Sequence, residues 1–288
     1  MKKIRLFVGF TIFLVVFAYG ILLLKNNREA PPLEHDVLIQ HFEKSVRWMT
    51  RNQEQVLSDP TPMLWWMVIE TAKKRPDPRL ISLIAKYIDR YPSVIASLWG
   101  PLFGRAPMRH VDPEEIIDLP YYNKHIIYAL HGAENLALTD EVIRRQNEAN
   151  FCHQLAYFFR PACTTHQLLG IHFLGQKADV DVEVIIDQLQ QDIIHQLTWD
   201  VRVVDVYLQR VMLLVLTGAK NKVKASWTRQ ILNYQLDDGG WTNSMPLFPL
   251  GNGRFFGFGS RLFSFDVPSS SFHATAQGMF LLAMMAHK

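Results

Sequence analysis

The chain has 288 residues, 49% of them hydrophobic and 12% aromatic, with a formal net charge of +3 and two cysteines. That length gives one large domain a sizeable core, and so mild a charge argues against a nucleic-acid binder held through phosphate contacts. The sequence has no Gly-rich phosphate loop, His-Glu-x-x-His helix or Gly-x-Ser-x-Gly elbow, so the common nucleotide and hydrolase chemistries lack support.

Residues 1–5 form a short basic start with Lys2, Lys3 and Arg5, and the run 6–24 that follows is uncharged. At the helical rise this run extends about 28 Å, near the thickness of a bilayer's hydrocarbon core. The expectation is a transmembrane signal-anchor helix over 6–24, with the membrane as partner and the C-terminal domain extracytoplasmic, in a periplasm, lumen or extracellular space. The rival is a cleavable signal peptide at Ala18-Tyr19-Gly20, against which the apolar Ile21–Leu24 continues past the small residues. Residues 25–37, with Pro31-Pro32, read as a linker.

Beyond it, Leu38, Ile39, Phe42, Val46, Trp48 and Met49 recur at three- and four-residue steps, the mark of an amphipathic helix over 38–53. Proline-rich breaks at 59–62, 75–78 and 91–92 delimit helices over 63–72 and 79–90. Residues 107–120 are irregular, and helical patterns resume over 122–136, 139–156, 165–175, 181–198, 201–217 and 222–235. No strand alternation with hairpin turns stands out, so the class reads as all-α: helical hairpins over 38–288 arranged as an α/α toroid or partial toroid. Residues 242–268 interleave glycines with Phe248, Phe255, Phe256, Phe258, Phe263 and Phe265. They read as a crossover loop filling the ring with its own aromatics, or as a lid or a surface that stacks on sugars and apolar ligands, with Arg254 and Arg261 available to an anion.

Cys152 and Cys163 pair naturally as a short-range disulfide in an exported chain. The alternatives are a metal site, zinc held by Cys152, Cys163 and His166, since two thiols and nearby imidazoles are a recognised zinc set, and two independent buried thiols. His125, Tyr128 and His131 share a helix face only approximately and read as packing residues.

The most informative run is Gln235-Leu236-Asp237-Asp238-Gly239-Gly240-Trp241, in which a helix-ending Gln, a glycine turn and a returning Trp suit one another. It resembles the helix-end motif of α/α-toroid proteins, a group spanning triterpene cyclases, prenyltransferase β-subunits, polysaccharide lyases and uronyl epimerases. Ser269-Ser270-Ser271-Phe272-His273 resembles the start of the last helix in those toroids, where a His faces the ring's centre. In the prenyltransferases an Asp-x-Cys pair and that His bind zinc; here Asp205-Val206-Tyr207 stands in the comparable place, so the triad is incomplete and prenyl transfer loses support. Residues 151–241, with Cys163-Thr164-Thr165-His166-Gln167-Leu168-Leu169 at their heart, also resemble a family of secreted animal proteins of unassigned function, which implies export and an oxidised or metal-bound cysteine pair.

These readings leave two classes of function. One is a binding or scaffold domain without a cofactor, taking a small-molecule or glycan ligand or a protein partner. The other is an enzyme acting on a glycan or isoprenoid-like substrate, with His166, Asp205 and His273 as acid, base or zinc ligands and Tyr207, Asp237, Asp238 and Trp241 lining the cleft. A third arrangement, a cytoplasm-facing chain with reduced thiols on zinc, separates from both by orientation and cysteine state.

Overall fold

The structure is a computed structural model that describes residues 2–108, 110–132, 141–177, 180–259 and 263–287. Its longer helices are α1 (Lys2–Asn27), α2 (His35–Arg51), α3 (Pro62–Lys74), α4 (Pro78–Arg90), α5 (Tyr121–His131), α6 (Cys163–Leu174), α7 (Glu183–Trp199), α8 (Asp205–Leu216), α9 (Ala225–Asn233) and α10 (Phe272–Ala286). Proline opens α3 and α4, where its missing N–H costs nothing. The Asp77 side chain caps α4 by accepting the Arg79 N–H at 2.8 Å.

Helix α10 is buried on nearly every side, from Phe272 to Ala286, as an all-round apolar helix must be. It packs on α2, α3 and α8, while α6 packs on α5, α7 and α8. Aromatic rings tie the layers together where helices from distant parts of the chain meet. Trp66 of α3 meets the Phe173 ring of α6 and the Phe280 ring of α10 edge-on, at centroid separations of 5.1 and 5.5 Å. Trp65 stacks on Tyr87 of α4 at 4.1 Å. Such contacts add about 0.5–1.5 kcal/mol each beyond the area they bury.

Two expectations about the fold are corrected. The first is the all-α class. Residues 245–264 contain a three-stranded antiparallel sheet in the order β1 (Met245–Gly251), β2 (Arg254–Phe258), β3 (Phe263–Ser264). Gly251, Asn252 and Gly253 all take positive φ, the conformation of a tight hairpin turn, and Gly251 pairs with Arg254 across it. Pro246 and Pro249 are tolerated because β1 lies at the sheet's edge. This segment does not fill a ring: Phe248, Phe263 and Phe265 are each about 60% exposed.

The second correction concerns the anchor. Among the described residues no helix is long and apolar enough to cross a membrane. That overturns the transmembrane signal-anchor at 6–24 and the single-pass membrane location built on it. The end of α1 is instead held by the domain. Tyr19 Oη donates to the Trp199 carbonyl, Asn27 Nδ2 donates to the Thr198 carbonyl at 2.8 Å, and Asn26 is fully buried. Asn26 donates to the Leu197 carbonyl at 2.7 Å, and its own Oδ1 accepts from Tyr207 Oη at 2.7 Å and Gln230 Nε2 at 2.6 Å.

The helices expected over 122–136 and 139–156 meet at 133–140, which lie outside the described residues. Beyond them the chain is more broken than its periodicity suggests: Glu141–Arg145, Phe151–His153 and Leu155–Phe158 are separate short turns. Asn147 and Asn150 favour turns over helix, and the Cys152–Cys163 disulfide closes this stretch onto the start of α6.

Candidate functional site

Three of the residues singled out in the sequence act on one another electrostatically. His166 stands in the first turns of α6, Asp205 opens α8, and His273 lies in the first turn of α10. The three are near enough that Asp205 raises and His273 lowers the proton affinity of His166. Burial outweighs both, and the imidazole is pushed down to about 4. Because a carbonyl only accepts, the 2.7 Å contact between His166 Nδ1 and the Ala162 oxygen fixes the proton on Nδ1 and leaves Nε2 with its lone pair. The Tyr122 ring stacks on this imidazole at 4.2 Å and holds its plane. Asp205 Oδ1 accepts the Val206 N–H at 2.8 Å, and His273 is exposed.

Most of the other singled-out residues are engaged in packing and turn contacts of their own. Tyr207, one turn into α8, is fully buried and bonded to Asn26; burial holds its hydroxyl well above the ordinary phenol value. Trp241 is 1% exposed, with Nε1 donating to the Ile231 carbonyl at 2.8 Å and its ring against Gly278. Asp238 ties the turn together: its carboxylate accepts from Trp48 Nε1 at 3.1 Å, the Gly240 N–H at 3.0 Å and Ser270 Oγ at 2.7 Å. Gln235 donates to the His41 and Gly239 carbonyls and accepts from His41 Nδ1. Gly239 has φ of +98° and lies against the Lys44 backbone, so this turn requires glycine twice over. Asp237 is exposed.

Cys152 and Cys163 are joined as a disulfide, and a sulfur so bonded is no thiolate ligand. Among the described residues no group of three or more His, Cys, Asp or Glu side chains is arranged to hold a metal ion. His125 and His131 are both packed. His125 Nε2 donates to Asn147 Oδ1 at 2.9 Å, while His131 Nε2 donates to the Leu98 carbonyl and its Nδ1 accepts the Met108 N–H. Arg254 is exposed, and Arg261 lies outside the described residues.

Beside the start of α10 lies a pocket of about 510 Å³ that sequence reasoning did not mark out. Thr242, Asn243, Ser244, Ser264, Ser269 and Ser271 give it a wall of hydroxyls and an amide, Phe263 gives it a ring, and Asp266 is its single carboxylate. Asn243 Oδ1 accepts from Ser271 Oγ at 2.7 Å, and Ser271 in turn caps α10 by accepting the Ala274 N–H. Phe256 backs the ring wall, with centroids 5.3 Å from Phe263 and 5.5 Å from Phe265. His273 begins two residues beyond Ser271, so the pocket and the imidazole group share the first turn of one helix. A wider, largely apolar groove of about 770 Å³, lined by Phe17, Ile21, Leu24 and Trp199 with Arg28 and Lys224 as its charged residues, lies along α1.

Comparisons with protein-family models, with curated proteins and with solved structures find no match. The functional reading therefore stands on this geometry.

Proposed function

We propose that this protein is a binding protein for a neutral polyhydroxylated ligand, a glycan, received in the pocket between the sheet and the start of α10. The observation that carries the reading is the lining: among the described residues, six hydroxyl or amide side chains and an exposed phenyl ring with one carboxylate. Sugars offer alternating donors and acceptors above a C–H face that lies on aromatic rings, and this wall answers both needs. The hydroxyl-rich wall suits an isoprenoid-like molecule poorly, because burying those groups against hydrocarbon leaves them unpaired.

The test is calorimetric titration of the full chain against a panel of neutral oligosaccharides, with Phe263→Ala as comparison. Loss of the ring contact should weaken binding about tenfold, the worth of one aromatic contact near 1.4 kcal/mol. A panel that gives no binding, or binding indifferent to Phe263→Ala, sinks the proposal.

The neighbouring His166, Asp205 and His273 favour a second reading, in which the bound glycan is also turned over by acid–base chemistry. A neutral imidazole with its Nδ1 proton fixed has the form of a general base. Reducing-end release from a bound oligosaccharide, abolished by His273→Ala with affinity retained, would select that reading; its absence leaves binding alone.

A further inference from the structure

A second pocket, of about 440 Å³, opens beside the disulfide. Its wall holds three arginines, Arg160, Arg202 and Arg210, with His153 and His195, against a single lining carboxylate, Asp192. Asp192 is already engaged, its Oδ2 lying 2.8 Å from His153 Nε2.

The decisive feature lies just behind the wall. Asp200 accepts from Arg202 through both oxygens, at 2.6 and 2.7 Å, and from Arg210 Nη1 at 2.8 Å. Burial opposes ionisation of Asp200, yet the two guanidiniums overcome it and hold its carboxyl below the ordinary value. One carboxylate thus serves two guanidiniums. Arg210 is 3% exposed, and its remaining bonds run to neutral oxygens, Gln196 Oε1 at 3.1 Å and the Pro161 carbonyl at 3.2 Å. Among the described residues the pair Arg202–Arg210 therefore has one positive charge more than its bonded counter-ion balances. Arg202, a quarter exposed, and the nearly buried Arg210 thus share a positive surplus at the pocket wall, which a bound group of opposite sign would complete.

We infer that this pocket is an oxyanion site that takes the phosphate or sulfate group of a small ligand. Guanidinium forks match the oxygen spacing of such groups and form paired charge-assisted hydrogen bonds with them. Arg160 stands at the mouth, held over the Tyr121 and Tyr157 rings at 5.3 and 5.4 Å, where it can close on the anion. The site is separate from the glycan pocket and does not depend on it.

The experiment is titration of the full chain with inorganic phosphate, inorganic sulfate and glucose 6-phosphate, each against sodium chloride of matched ionic strength. Arg160 and His195 are exposed, so Arg160→Gln and His195→Ala test the site without removing a core residue. Saturable one-site binding of at least one oxyanion is expected, weakened about tenfold by Arg160→Gln, the loss of one charge-assisted contact. Tighter binding of glucose 6-phosphate than of inorganic phosphate assigns the pocket to esters, and the reverse order to the free ion. No binding beyond the chloride control overturns the inference, and so does equal affinity in wild type and both variants.

Discussion

A buried imidazole records its surroundings in its proton affinity. His125 is fully buried: Nε2 donates to Asn147, while Nδ1 faces Gly170 with no hydrogen-bond partner among the described residues. A proton on Nδ1 would have neither acceptor nor water, so burial pushes this histidine from 6.5 down to about 4. In the unfolded chain the same ring protonates near its ordinary value, so the unfolded state binds more protons below it. The sign follows: stability is full above about pH 6.5 and falls as pH drops from there towards 4, by on the order of 3 kcal/mol from His125 alone. Urea midpoints of the wild type at pH 7.5 and 4.5 should differ clearly, and His125→Gln should narrow the gap. Equal wild-type midpoints would show that this ring is not held neutral. In the sequence His125 reads as a packing residue, but its depressed proton affinity was hidden, because Gly170 and Asn147 approach it only through the fold.

At the scale of elements, the loop closed by Cys152 and Cys163 is where local sequence and long-range structure meet. The two residues are 11 apart, and closing a loop of that length in the unfolded chain is worth about 3 kcal/mol in the chain-entropy view. The double variant Cys152→Ala/Cys163→Ala should lose stability of that order in denaturant titration. A loss well under 1 kcal/mol would mean that the loop is already ordered by Phe151, Tyr121 and Tyr157, which pack on the disulfide. The sheet carries the opposite lesson. Gly251-Asn252-Gly253 contains the Asn-Gly pair that marks a hairpin, and Phe255 to Phe258 offers a strand beside it. Glycines and aromatics without clean alternation hid the pattern, since most of the phenyl rings cluster on one another and only Phe258 also packs against the core.

Across the whole molecule, α1 is joined to the rest by a polar lock. Asn26 receives Tyr207 of α8 and Gln230 of α9, donates to the end of α7, and offers its carbonyl to Ser226 at 2.9 Å. Replacing it with alanine would leave the Tyr207 hydroxyl proton and the Leu197 carbonyl without this partner in the interior, and Gln230 Nε2 with only its 3.4 Å contact to Tyr207 Oη. Asn26→Ala should therefore cost about 2–4 kcal/mol and expose residues near 25–34 to limited proteolysis. An unchanged unfolding midpoint would mean that α1 is not held by this network. Nothing in the apolar run 6–24 announces the lock, because the residue that makes it lies just past the run's end.

Read by itself, the sequence determined the largely helical content and most helix limits, and it favoured a disulfide at the cysteine pair without excluding a metal site. Those depend on three- and four-residue periodicity, on prolines and on proximity along the chain, all of which are local. It also singled out His166, Asp205 and His273, although not how near they lie. Only the tertiary structure decided that Tyr207 belongs to a buried lock, that Trp241 is core, and that Arg202 and Arg210 share the one carboxylate of Asp200 beside a pocket. Arg210, the one arginine within the apolar helix α8, was the available signal for that last group. Its meaning rests on partners brought from other helices, and burial and charge balance are properties of that assembly, not of any segment.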